Sequence, residues 1–488
     1  MNYQLFVLRC APSELAAMLS PRSPVSQPRF SSASSSAMLR CNGLNYINDV
    51  RLAGSKSHMS VDIGAIQPYS SQVSGVTSCF TLGPRCAEAM LARSAATPIS
   101  MSFFCPALER SSSFSSLISE HLHHTRDLQV MGTGTANVRP FVYGLPSPSA
   151  VLEGLDISLI DTPGEEEGDN FELPGVITGS RLPSLRRVTL DGFWMPWSAP
   201  ILGGLTHLHI QLHKPRRHAL DAYLNASHEE LFSVLKTLRA LESLILINCL
   251  PSGHWADRND EVLRLPRLEM LQLQGPSAAC FGIAKRLRIR SRCQMQLRCT
   301  DDTDVAEILP FLSALTSGGA DLSPWHTLLL THDIDTGFRL QMWRLCNAPR
   351  TDDESEDEFE LEPLDVDLAI SSCSPGQSYG PLQRLCRVLP LETIRTIHVS
   401  IDTFGYNVPA RDWIDMLWQC SETTRVWVRN RQAISFCEAL SMTTDTHPRP
   451  LAELDLDVRM PGEPFLWNLE TLKLSNVDLG MQGYMRGY

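Results

Sequence analysis

Residues 241–247 read LESLILI, and residues 268–274 read LEMLQLQ. Both stretches follow the spacing L-x-x-L-x-L, in which the last two apolar residues stand two positions apart. Side chains alternate across a β-strand, so Leu244 and Leu246 point to one face while the residues between and around them point to the other. Each stretch therefore predicts a short strand with one buried face.

The same spacing recurs along most of the chain. The clearest copies begin at Leu185, Leu205, Leu241, Leu268, Trp325, Ile394, Leu451 and Leu469, and weaker copies centre on Leu128, Leu155, Leu297, Val366 and Val426. Consecutive copies lie about 29 residues apart on average, within the range of leucine-rich repeats. One such unit buries too little surface alone, whereas stacked units share a continuous core beneath a parallel sheet.

The predicted fold class is therefore α/β: a leucine-rich-repeat solenoid with a curved parallel sheet and outer helices. In this fold we expect Leu208, Leu244, Leu271 and Leu328 to be buried in one sheet. The alternative is an ordinary α/β sheet protein with irregular loops.

Helical patterns fill the intervals between the predicted strands. Ser227 and Glu230 have the spacing of a capping box, and Leu231, Val234, Leu235 and Leu238 follow on one helix face. Shorter apolar stripes of helical spacing are Leu382/Leu385/Cys386/Leu389, Trp413/Ile414/Leu417 and Ile434/Cys437/Leu440.

The chain divides into two regions by composition. Residues 20–36 contain eight serines and three prolines in 17 positions, which is too little apolar surface to offset the entropy of ordering. We therefore expect residues 1–79 to be a largely disordered N-terminal region and residues 80–480 to hold the irregular repeat array. Acidic insertions interrupt this array at 161–172 and 350–363, and both are expected to be solvated loops.

Charge and cysteine content exclude several classes of function. The net charge of −12 argues against a nucleic-acid partner held by phosphate contacts. No run of 18 apolar residues occurs, so no membrane span is expected. The 14 cysteines contain no C-x-x-C pair, which is typical of reduced thiols and favours a cytoplasmic or nuclear protein. A mitochondrial address is the alternative, because the Ser-rich first 48 residues carry only one acid, Glu14.

Short motifs give little support for catalysis. Asp161-Thr162-Pro163-Gly164 resembles a GTPase switch, but no phosphate-binding G-x-x-x-x-G-K-[ST] loop precedes it. His207, His209 and His213 are expected on one outer strand face, where a binding surface is a better interpretation than a metal site. We expect no enzyme activity, cofactor or metal. An enzyme on an irregular α/β domain remains the alternative.

The outward strand positions form a polar, mixed-charge set. The candidate protein-binding residues are Arg187, His207, His209, Gln272, His398, Trp427 and Arg429. Trp427 and Arg429 are the strongest anchors, unless a loop of the chain covers Trp427.

Three stretches carry a family resemblance: residues 80–104, 182–210 and 265–289. With Pro196-Trp197-Ser198 and the L-P-x-L of Leu182 and Leu265, they resemble fungal F-box-like leucine-rich-repeat proteins. The resemblance implies an N-terminal F-box that docks a ubiquitin-ligase adaptor, and repeats that select targets. Only residues 11–15 echo an F-box here, and no Trp precedes Trp194, so the F-box is absent or degenerate. The predicted function is a protein–protein interaction scaffold with a partner of unknown identity. The alternative is a substrate receptor of a cullin-type ubiquitin ligase.

Overall fold

The apolar residues of the repeated spacing line one face of a large mixed sheet in the computed structural model. The structure describes residues 6–9, 77–80, 91–92, 94, 97–105, 118–160, 170–213, 227–251, 262–289, 292–301, 308–309, 311–312, 324–333, 337–344, 365–370, 380–401, 408–429, 432–442 and 465–475.

Sixteen strands in the described part of the chain form the main sheet, and their order across the sheet is β2-β1-β3-β4-β5-β7-β9-β10-β12-β14-β17-β16-β15-β18-β19-β20. Their bounds are β1 (Phe6–Arg9), β2 (Thr77–Phe80), β3 (Ile99–Cys105), β4 (Thr125–Thr133), β5 (Gly154–Ile160), β7 (Arg187–Asp191), β9 (His207–Gln211), β10 (Ser243–Ile247), β12 (Met270–Gly275), β14 (Gln294–Cys299), β15 (Thr327–Asp333), β16 (Gly337–Trp343), β17 (Val366–Ile370), β18 (Thr396–Ile401), β19 (Arg425–Arg429) and β20 (Thr471–Ser475). Two smaller parallel pairs join β6 (Phe171–Glu172) to β8 (Phe193–Trp194) and β11 (Leu263–Arg264) to β13 (Leu287–Arg288).

The repeated leucines set the register between neighbouring strands. Leu208, Leu244 and Leu271 are direct partners across β9, β10 and β12. These three residues and Leu328 have no exposed surface and belong to one sheet, as predicted. Every described copy of the spacing places its apolar pair in a strand, whereas the copy at Leu451 lies outside the described residues. We call this apolar side of the sheet the core face.

The prediction of a wholly parallel sheet is wrong at two places, the strands β1 and β2 at one end of the sheet and the inserted strand β16. Strand β16 pairs antiparallel with both β15 and β17, and it reverses the chain order between β14 and β18. Only three residues separate Asp333 from Gly337, which is far too short for a parallel crossover. Phe338, Leu340 and Met342 alternate onto the core face, so the inserted strand still contributes to the core.

Helices pack against the core face. They are α1 (Thr135–Tyr143), α2 (Gly175–Thr178), α3 (His228–Thr237), α4 (Ser277–Arg286), α5 (Gly380–Val388), α6 (Ala410–Leu417) and α7 (Gln432–Ser441), with 3-10 turns at Leu122–His124 and Pro200–Leu202. Helix α3 begins at the predicted capping box: Ser227 accepts from the Glu230 backbone, and the Glu230 carboxylate accepts from the Ser227 backbone. The fold is thus mixed α/β, with a mostly parallel sheet.

The stripe predicted for helix α7 is wrong by one position. Ala433, Phe436 and Ala439 are buried, whereas Ile434 and Cys437 are half-exposed. The Phe436 ring lies 5.4 Å from Trp413 and 6.0 Å from Phe465, and this aromatic cluster sets the rotation of the helix.

The terminal and inserted regions are described only in part. Strand β1 lies between β2 and β3 and is antiparallel to both, so the sheet includes two short pieces of residues 1–80. The rest of residues 1–79, where disorder is predicted, lies outside the described residues. The same holds for residues 161–169 and 350–363, whereas residues 171 and 172 of the first insertion form β6.

Candidate functional site

The side of the sheet opposite the core face is lined mostly by polar residues, and we call it the polar face. The registers place one residue from each of fourteen neighbouring strands, β3 to β20, in a single line that we call the central row. Its members are Ser102, Gln129, Asp156, Thr189, His209, Ile245, Gln272, Gln296, Asp367, Gln341, Leu329, His398, Trp427 and Lys473.

Side-chain hydrogen bonds connect the first three members of the central row. The Ser102 hydroxyl donates to Gln129 Oε1 at 2.8 Å, and Gln129 Nε2 donates to Asp156 Oδ2 at 3.0 Å. The Ser158 hydroxyl donates to the other oxygen of Asp156 at 2.7 Å. Burial raises the pKa of Asp156, and these two donors oppose that effect. This end of the row is therefore an ordered ladder whose groups largely satisfy each other.

Two of the predicted histidines lie on the polar face. His207 and His209 alternate with buried Leu208 and Ile210 on strand β9. Burial lowers the pKa of both rings, so both are neutral at pH 7. Among the described residues, His209 Nε2 is buried and has no hydrogen-bond partner. Because this nitrogen is buried, His209 does not offer it to a partner on the polar face.

The prediction that His213 shares this face is wrong. Strand β9 ends at Gln211, so the alternation of side chains no longer holds two residues later. His213 is buried, and it exchanges backbone hydrogen bonds with the Asn170 side chain at 2.9 and 3.1 Å. Its ring packs against Gly192, where an added Cβ would lie 2.6 Å from Nε2. His213 thus fixes a loop and is not part of a binding surface.

Arginines on the first two thirds of the polar face are paired with aspartates. Arg187, a cross-strand neighbour of His207, is exposed and binds the Asp127 carboxylate. Arg339 binds Asp367 through two hydrogen bonds of 2.8 Å, and Asp367 has no exposed surface. Arg298 lies 3.9 Å from the same carboxylate. Local charge is therefore largely balanced in these regions.

The last strands carry a different group of side chains. The Trp427 ring has the Arg429 guanidinium carbon 4.5 Å and the Lys473 ammonium nitrogen 4.1 Å from its centroid. The His398 ring lies 5.4 Å away on the neighbouring strand. His398 is only 6% exposed. Burial, with smaller effects of Arg429 and Lys473, lowers its pKa to about 4. The His398 ring therefore packs against Trp427 and leaves little surface for a partner to contact.

The structure brings most of the candidate residues onto one surface. His209, Gln272, His398 and Trp427 lie in the central row, Arg187 and His207 lie beside it, and Arg429 stands two residues beyond Trp427. Trp427 is half-exposed. Gln129, Asp156 and Asp367 were not among the predicted binding residues. Each of them stands between the last two apolar residues of an L-x-x-L-x-L copy. Taken in every copy, the residue at that position predicts most of the central row.

Two kinds of potentially reactive side chain lie away from the polar face in the described residues: Ser94 beside His124, and buried cysteines. Ser94 lies 3.3 Å from His124 Nε2, but its hydroxyl donates to the Leu91 carbonyl and it is 1% exposed. Within the described ranges, no three His, Cys, Asp or Glu side chains are placed to hold a metal ion. Burial raises the pKa of the Cys293 and Cys386 thiols to about 12, which leaves them protonated and unreactive.

Two comparisons of the sequence with known proteins found no match. No protein-family profile matches the chain, and none of the curated proteins is significantly similar to it. None of the helices in the described part of the chain is long and apolar enough to cross a membrane.

Proposed function

We propose that the chain is a protein-binding scaffold of the leucine-rich-repeat type, descended from F-box proteins, and that the polar face receives the partner. The observation that carries the proposal is the central row, in which fourteen strands direct one side chain each to the same side. The row spaces its side chains evenly along a line of about 60 Å, at about 4.8 Å per strand. Some members, such as Asp367 and His398, are buried, and the partly exposed ones include Gln129, Gln272 and Trp427.

The dimensions of the polar face fit a protein better than a small molecule. Three parallel rows of outward residues span about 13 Å, so the face covers roughly 800 Å², which is one partner's share of a standard interface. A small molecule requires a concave pocket with a few converging polar groups. A long face of mixed polarity, with one tryptophan in the central row and several arginines beside the row, matches the composition of protein interfaces.

The ligase-receptor role is the second candidate, and it rests on the resemblance of the repeat stretches. An adaptor-binding F-box needs helices packed in fixed relation, and its echo at residues 11–15 has few apolar residues around it. Ordering such a segment on binding would be costly. We therefore propose a scaffold that does not bind the adaptor. We expect any dissociation constant for the adaptor to be weaker than micromolar.

The test is quantitative affinity capture with three forms of the full chain. The first form is wild type, and the second is the polar-face variant Arg187→Ala/His207→Ala/Gln272→Ala. The third form is a matched control, Glu229→Ala/Ser233→Ala/Arg239→Ala, which alters exposed residues on and just after helix α3. We expect a defined set of proteins to be captured by wild type and control and to be depleted at least fivefold by the polar-face variant.

The result that contradicts the proposal is a set of proteins captured equally by all three forms. Adaptor and cullin subunits among the proteins captured by wild type, at an amount near that of the bait, would instead establish the ligase-receptor role.

A further inference from the structure

The polar face is not uniform in charge along the sheet. On strands β7, β14 and β16, the arginines of the polar face lie beside aspartates. Strands β18 to β20 instead carry Arg425, Arg429 and Lys473 on this face, and none of their outward residues is acidic. Within the described residues, these three cations form no ion pair. As far as the described residues go, the end of the face therefore holds positive charge that no aspartate or glutamate pairs with.

Trp427 holds two of these cations, Arg429 and Lys473, close to each other. Arg429 and Lys473 both contact the Trp427 ring. If they lay on opposite sides of the ring centroid, their charged groups would be 8.6 Å apart, and this is the largest separation that the two contacts allow. A cation–π contact attracts the cations to the ring but leaves their N–H groups and net charge available. The neighbouring His398 ring adds no charge at pH 7, because burial, with smaller effects of Arg429 and Lys473, lowers its pKa to about 4.

We infer that Trp427, Arg429 and Lys473 form an acidic-peptide site, which binds a partner segment with carboxylates at alternate positions. This inference rests on the proposed function and specifies the chemistry of the partner at one end of the polar face. Side chains two residues apart in an extended segment lie about 6.6 Å from each other on the same side. That spacing lets two successive carboxylates engage the two cations while the peptide backbone crosses the indole.

Charge selects a protein segment over nucleic acid. The net charge of −12 repels a polyanion with many phosphates over a long range. The same net charge weakens the binding of a short acidic peptide much less. At physiological ionic strength, salt screens the repulsion from charges more than about 8 Å away. Nucleic-acid surfaces of the stacking type use several aromatic residues along a basic groove. The acidic-peptide site has one.

The test is fluorescence anisotropy with a labelled decapeptide of alternating Glu and Ser, titrated with the full chain at about 50 mM salt. Its comparison probe has Gln in place of Glu. The site variant is Arg429→Ala/Lys473→Ala. The matched control is Arg264→Ala/Arg288→Ala, which removes two exposed arginines that are also cross-strand neighbours, in a separate two-stranded sheet. Melting curves of both variants confirm folding.

We expect the Glu peptide to bind at least tenfold more tightly than the Gln peptide. The site variant should lose at least tenfold in affinity, and the control should stay within twofold of wild type. Equal binding of the two peptides, or equal loss in both variants, would overturn the inference. Tighter binding of a single-stranded decanucleotide with the same dependence on Arg429 and Lys473 would also overturn it. A partner that still requires Arg187, His207 and Gln272 would show that only this inference, and not the proposed function, had failed.

Discussion

Truncating Leu271 removes apolar packing at the centre of the sheet. Leu271 has no exposed surface and lies between Leu244 and Met295, its direct partners on the neighbouring strands. Leu271→Ala deletes three carbon atoms, which lowers the free energy of unfolding by about 2.4 kcal/mol at about 0.8 kcal/mol per buried methylene. The cavity left in a sheet that can relax only partly adds about 1 kcal/mol. We expect a total loss of about 3–4 kcal/mol.

The matched control is Leu472→Ala, because Leu472 occupies the same row of the core face on the terminal strand β20 but is 37% exposed. We expect a loss of about 1 kcal/mol there, since much of that side chain already contacts water. Urea denaturation followed by circular dichroism gives both values, compared at equal slope. Equal losses for the two variants, or a loss below about 1 kcal/mol for Leu271→Ala, would refute the account of the core face.

Three further predictions concern charge and helix capping. The pKa of His398 is about 4 in the folded chain, so the unfolded chain binds a proton between about pH 6.5 and pH 4 that the folded chain does not, and stability falls as the pH falls. Other histidines with lowered pKa values, such as His124, also cost stability over the same range, so we expect the loss from pH 7 to pH 5 to be about 2 kcal/mol larger in wild type than in His398→Gln, measured by denaturation at both values. Asp367→Asn should cost about 2 kcal/mol, less than for a fully buried pair, because Arg339 is 31% exposed and can regain water. A double-mutant cycle with Arg339→Met should show coupling, and additive losses would contradict the pairing. Ser227→Ala should cost about 1 kcal/mol through loss of the capping box, whereas Ser233→Ala, at an exposed interior position of the same helix, should raise stability by a few tenths of a kcal/mol, because Ala has the higher helix propensity.

The repeated spacing predicted much of the fold because it depends on local geometry. Two apolar residues at alternate positions require a strand with one buried side, so Leu208, Leu244, Leu271 and Leu328 could be assigned to a core without knowledge of their neighbours. The capping box at Ser227 is likewise a local signal. The same parity placed His207, His209, Gln272 and Trp427 on the opposite side of the sheet, where the structure has them.

Features set by tertiary contacts could not be predicted in this way. The spacing does not encode strand direction, so the antiparallel insertion of β16 was missed, although the three-residue connection before Gly337 excludes a parallel neighbour. The alternation of side chains between the two faces stops where a strand ends, which is why His213 is buried and does not point outward. The burial of His398 and the rotation of helix α7 depend on rings from other elements, Trp427 in one case and Trp413 in the other.

Site-specific photocrosslinking tests the central claim, that the polar face binds a protein partner, most directly. A photoreactive amino acid is placed at Gln272, in the middle of the central row, or at Ser233, on the exposed side of helix α3. Irradiation of the full chain in its native cell should give a discrete, saturable adduct from position 272 and none of the same mass from position 233. Adducts of the same mass and yield from both positions, or from position 233 alone, would contradict the claim.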